Sequence, residues 1–69
     1  MPYLDVKLYE GRLDPESTRR LIERLTDVVV EVYGEAIRDQ TWVVLQEIPP
    51  ERWGIGGHPG SPFPNLVDG

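Results

Sequence analysis

Near the middle of the chain, Thr41-Trp42-Val43-Val44-Leu45-Gln46-Glu47-Ile48 is apolar on both faces of an extended strand as far as Gln46. Strands of that kind are covered on both sides in folded proteins. The rest of the chain supplies a single cover. Leu21, Ile22, Leu25, Val28, Val29, Val32 and Tyr33 fall on one stripe of a 3.6-residue helix, with Arg19, Arg20, Glu23, Arg24, Asp27 and Glu31 on its solvated side. Asp14-Pro15-Glu16 starts that helix: Asp14 can accept from the first-turn N–H groups, Pro15 suits the first helical position, and Glu16 complements the dipole. Gly34 is its natural stop. Upstream, Tyr3 to Tyr9 alternates, with Leu4, Val6 and Leu8 against Tyr3, Asp5, Lys7 and Tyr9, which predicts a half-buried strand. Strand, helix and strand in this length make a right-handed crossover unit with parallel strands. One helix cannot cover both faces of such a sheet, so a neighbouring copy of the chain is expected to supply the second cover.

Size points the same way. The 69 residues leave room for one domain, and 39% of them are hydrophobic. A domain of about 60 residues buries only about 60% of its unfolded surface and is marginal alone. No cysteine is available for a disulfide, and one histidine is poor material for a structural zinc site. Oligomerisation is then the expected source of the missing burial. Twelve acidic against seven basic residues give a net charge of -5, which disfavours nucleic acid as a partner. No apolar run approaches the ~20 residues of a membrane span, and Asp5, Lys7 and Glu10 interrupt any secretory leader. A cytoplasmic protein is expected.

After the second strand, Pro49-Pro50-Glu51-Arg52 breaks the pattern. Trp53-Gly54-Ile55-Gly56-Gly57 reads as a tight hairpin, and from His58 to Gly69 the composition turns to Pro, Gly, Ser and Asn, with Phe63, Leu66 and Val67 as anchors. The fold class expected is α/β (α+β), a β-α-β unit with a C-terminal β-hairpin over residues 1–57. Residues 58–69 would form an irregular tail, docked on a neighbour through Phe63 or disordered.

The chemistry is concentrated at the amino end. Met1 precedes Pro2, and removal of Met1 turns Pro2 into a free secondary amine at the root of a strand. Internally, the same residue carries an amide nitrogen with neither basicity nor an N–H. Pro2, the run Leu8-Tyr9-Glu10-Gly11-Arg12, the amphipathic helix and Trp53-Gly54-Ile55-Gly56-Gly57, in this order and spacing over residues 2–57, resemble the 4-oxalocrotonate tautomerase family. The resemblance implies a β-α-β protomer with a terminal hairpin, assembled as a hexamer built from dimers. It further implies that Pro2 is the general base, that Arg12 binds a substrate carboxylate, that Trp53 lines the pocket, and that no cofactor is used. The substrate implied is a small-molecule carboxylate, a 2-hydroxy-2-alkenoate or related 2-oxo acid. Well-known members carry a second arginine near the start of the second strand. Trp42 stands there in this chain, and Arg38 in the preceding loop is the alternative cation.

Physical chemistry supports that assignment independently. An α-amine titrates near 8, and a proline amine is more basic, so a base acting near neutrality needs its pKa lowered. Burial by Trp53, Ile55 and Leu8 or Tyr9, together with the charge of Arg12, would lower it. Arg12 can also clamp a carboxylate bidentately and hold the adjacent carbon against the amine. Trp42 either stacks on an unsaturated substrate or packs an interface. Tyr9 either hydrogen-bonds substrate or packs at the strand end. Glu47 is expected in an ion pair, with water positioning as the alternative. His58 is expected to be exposed, and Arg19 and Arg20 are expected to be surface charges. Two other functions stay open: a hydratase- or dehalogenase-like enzyme using protonated Pro2 as general acid, and a non-catalytic oligomeric binding protein.

Overall fold

The computed structural model describes residues 1–60. The expected docking through Phe63 lies outside them. Strand β1 (Tyr3–Tyr9) is followed by helix α1 (Pro15–Tyr33), a 3-10 helix over Glu35–Gln40, and strand β2 (Trp42–Ile48). A second 3-10 turn over Pro50–Arg52 then leads into a hairpin of β3 (Gly54–Ile55) and β4 (His58–Pro59). The β-α-β unit with a terminal hairpin is present.

β1 and β2 pair in parallel, from Tyr3 opposite Trp42 through Leu8 opposite Glu47 to Tyr9 opposite Ile48. Two further bonds bracket the ladder. The Trp42 N–H donates to the Pro2 carbonyl at 2.9 Å, and the Glu10 N–H donates to the Ile48 carbonyl at 3.0 Å. Period-two alternation then sorts the side chains. Leu4, Val6 and Leu8 share one face with Val43 and Leu45 and are half-buried. On the opposite face the Asp5 carboxylate accepts from Lys7 Nζ and from Gln46 Nε2 across the strands.

α1 is bounded as its end signals require. Asp14 Oδ1 accepts the Ser17 N–H at 2.7 Å, and Ser17 Oγ accepts the Asp14 N–H at 2.9 Å, a reciprocal capping box. At the other end the Gly34 N–H donates to the Val30 carbonyl at 2.7 Å. Arg19 lies between Glu16 and Glu23 on the surface. Two regular turns emerge from stretches without periodicity, the 3-10 segments Glu35–Gln40 and Pro50–Arg52.

The hairpin runs further than its glycines indicate. Gly56 and Gly57 take φ of 61° and 86°, a pair of positive angles suited to a two-residue hairpin loop. The returning strand is His58–Pro59, at the head of the stretch expected to be irregular tail. The Gly60 N–H then reaches the Pro50 and Trp53 carbonyls and closes the hairpin on the second 3-10 turn.

Burial is sparse. Among the described residues no apolar side chain of the isolated protomer is fully buried. Val32, Tyr33, Val28 and Trp42 are 67, 73, 57 and 57% exposed.

Candidate active site

The sequence-selected residues divide between the two ends of the sheet. Pro2 and Trp42 sit at the start of the strands, joined by the Trp42 N–H bond to the Pro2 carbonyl. Arg12, Tyr9 and Trp53 sit at the far end. Arg12 follows β1 in the Glu10–Leu13 turn, and Trp53 follows β2 through the Pro50–Arg52 turn. Tyr9 and Trp53 form a tilted aromatic pair with ring centroids 5.2 Å apart, and Trp53 Nε1–H donates to the Ile48 carbonyl at 3.1 Å. Ile55 on β3 is exposed.

The separation can be read from the ladder. The backbone N–H of Arg12 bonds to Glu47, which pairs with Leu8, and Leu8 lies six strand steps from Pro2, roughly 20 Å at about 3.3 Å per residue. An arginine side chain falls far short of that span. A single chain therefore does not bring Arg12 or Trp53 to Pro2.

Two of the side chains singled out in the sequence, Arg38 and Glu47, are engaged by partners within the chain. Arg38 Nε donates to Glu35 at 2.6 Å and Arg38 Nη1 donates to Asp27 at 3.0 Å, so two carboxylates hold its guanidinium and raise its pKa further. A substrate carboxylate reaching Arg38 would compete with both. Glu47, expected in an ion pair, instead accepts backbone N–H groups. Its Oε2 takes those of Gly11, Arg12 and Leu13 at 2.8, 2.9 and 3.0 Å. Gly11 makes the convergence possible with φ of 94°.

A groove of about 540 Å³ opens beside this turn, lined by Leu8, Arg12, Leu13, Ser17, Arg20, Leu21 and Arg24. Three leucines and three arginines share that lining. His58, Arg19 and Arg20 are exposed, as expected. Among the described residues no group of acidic, histidine or cysteine side chains could hold a metal ion.

Comparison with known proteins gives this geometry its context. Residues 2–61 match the family described as tautomerase enzyme, so the match begins at Pro2. The chain belongs to the 4-oxalocrotonate tautomerase family of the tautomerase superfamily. A probable tautomerase of Ralstonia nicotianae is 41% identical over 61 residues, covering 88% of this chain and 84% of the relative. The 2-hydroxymuconate tautomerase of Bacillus subtilis is 37% identical over 57 residues, covering 83 and 89%. Among solved structures, the 4-oxalocrotonate tautomerase homologue of the tomaymycin biosynthetic pathway has a TM-score of 0.75 at 38% identity, covering 84% of this chain and 86% of its own. A heterohexameric 4-oxalocrotonate tautomerase from Chloroflexus aurantiacus gives 0.73 at 25% identity, covering 86 and 92%. This tautomerase is thus an enzyme of the isomerase class with the mixed α+β fold of its relatives. No helix among the described residues is long and apolar enough to cross a membrane.

Proposed function

We propose that the mature protein, with Met1 removed, is a cofactor-independent enol/keto tautomerase of a 2-hydroxy-2-alkenoate, with Pro2 as general base and Arg12 as carboxylate anchor. The Pro2 nitrogen takes the proton of the substrate's 2-hydroxyl. The C2–O bond becomes a carbonyl, the double bonds shift along the conjugated chain, and the proton returns from nitrogen to a carbon of that chain. Arg12 holds the substrate carboxylate so that the enol oxygen meets the amine. Its positive charge also disfavours protonated Pro2 and leaves the amine basic near neutrality.

The observation that carries this reading is the family match beginning at Pro2, with a 2-hydroxymuconate tautomerase among the relatives. Because Pro2 and Arg12 lie about 20 Å apart along β1, a site containing both takes them from different chains. We therefore infer a homo-oligomer, a hexamer built from dimers by analogy with the heterohexameric relative.

The test is enol-to-keto conversion of 2-hydroxymuconate followed by its ultraviolet absorbance. Replacing Pro2 by alanine is expected to lower kcat/KM at least ~10²-fold while native mass stays that of the assembly. In the parent enzyme the rate should fall as acid protonates the amine. A rate that rises on protonation would mark Pro2 as a general acid and favour hydration chemistry. Unchanged turnover in Pro2→Ala would remove the assignment altogether.

A further inference from the structure

We propose that Glu47 is a positioning residue for Arg12: its carboxylate clamps the turn from which the guanidinium reaches the substrate. The inference rests on the reading of Arg12 as carboxylate anchor.

The geometry is specific. One oxygen, Glu47 Oε2, receives three consecutive backbone N–H groups, from Gly11, Arg12 and Leu13, at 2.8 to 3.0 Å. The bonds to Arg12 and Leu13 belong to the two peptide units flanking the Arg12 Cα. Tethering both fixes the backbone torsions of Arg12 and hence the direction in which its side chain leaves. Bonds to an ionised carboxylate are roughly twice as strong as neutral ones. The donors form an anion-binding nest that the chain fills with its own glutamate, 34 to 36 residues away in sequence.

The location of Glu47 argues for this role. By strand alternation it belongs to the face carrying half-buried Leu8, its register partner, rather than the face where Asp5, Lys7 and Gln46 meet. Glu47 itself is exposed in the protomer, and the turn supplies its carboxylate with three donors. Arg12 thus hangs from a segment welded to β2 rather than from a free loop. A misplacement of about 1 Å in a substrate-positioning group can cost on the order of 10²-fold in rate.

The test uses steady-state kinetics on 2-hydroxymuconate with Glu47→Ala, Glu47→Gln, Arg12→Ala and the Glu47→Ala/Arg12→Ala double variant, each checked by native mass. Glu47→Ala should raise KM about tenfold or more with a smaller change in kcat. Glu47→Gln keeps an acceptor oxygen and should recover most of the loss. Once Arg12 is gone its orientation no longer matters, so the double variant should be no worse than Arg12→Ala alone. Amide exchange at Arg12 and Leu13 should accelerate in Glu47→Ala and stay slow in Glu47→Gln. Should the alanine variant fail to assemble, Glu47→Asp, too short to reach the nest, should show the raised KM beside a near-normal glutamine variant. An unchanged KM in Glu47→Ala while Arg12→Ala raises it, or effects of the two substitutions that multiply, overturns the positioning role alone. An unchanged KM in Arg12→Ala overturns the anchor reading beneath it.

Discussion

In the proposed mechanism the chemistry at Pro2 depends on one peptide bond. While Met1 stays attached the Pro2 nitrogen is an amide with no proton to give or take. Activity is therefore expected to track the fraction of chains beginning at Pro2. Treating a methionine-bearing preparation with a methionine aminopeptidase should raise specific activity in proportion to the processed fraction seen by intact mass. Constant activity across that series would exclude the amine. Pro2, Arg12 and Trp53 could be proposed from the sequence because each sits in or beside a short contiguous motif. The real partners of Arg38 and Glu47 could not. Asp27 is eleven residues from Arg38, and the Gly11–Leu13 amides meet Glu47 only once β1 and β2 are in register. Glutamate in a strand carries no local sign that its acceptors will serve a turn at the other end of the chain.

Among the elements, α1 was the most readable, since both of its ends are decided by local chemistry. Its Asp14 cap also gives it a pH dependence. The Ser17 N–H and hydroxyl bonds hold the Asp14 carboxyl below its ordinary value of 3.8, and bonds from Lys7 and Gln46 do the same at Asp5. A pKa lowered by folding means the ionised form is favoured in the native state. The associated stabilisation is complete above the unfolded value near 4 and disappears as pH falls through the lower folded value. Helical circular dichroism should thus decline on acidification below about pH 4. Asp14→Asn keeps a capping oxygen but removes one titration, so its acid transition should be shallower. A transition identical to that of the parent would place the acid sensitivity elsewhere. The elements that escaped sequence reading have weaker signatures. The Glu35–Gln40 turn has no apolar stripe, and β4 begins where proline and glycine make the composition resemble a tail. Its partner is chosen by the positive φ angles of Gly56 and Gly57, which register as a turn without saying how far the return strand extends.

As a whole molecule the protomer leaves much apolar surface exposed, and association would answer both that deficit and the separation of the proposed site residues. A sheet of two strands with a single helix leaves Val28, Val32, Tyr33, Tyr3 and Trp42 largely in solvent, and among the described residues no apolar side chain is fully buried. Association removes that exposed surface from water, the dominant favourable term in most assembly. The same association is what can set an Arg12 beside a Pro2, since the two are held at opposite ends of one rigid ladder. That constraint makes a prediction about mixtures. Pro2→Ala and Arg12→Ala assemblies, each severely impaired alone, are dissociated, combined in equal amounts and reassociated. If every site draws its proline and its arginine from different chains, random mixing regenerates fully native sites at roughly a quarter of positions, and activity returns to about that share. Where both residues come from one chain, every site in every hybrid retains a lesion and the mixture is no better than its components. Mass spectrometry of the intact hybrids separates this second outcome from a simple failure to exchange subunits. Recovery would also have to vanish when the two substitutions are carried on the same chain and mixed with a Pro2→Ala partner, because no native proline then shares an assembly with any site at all.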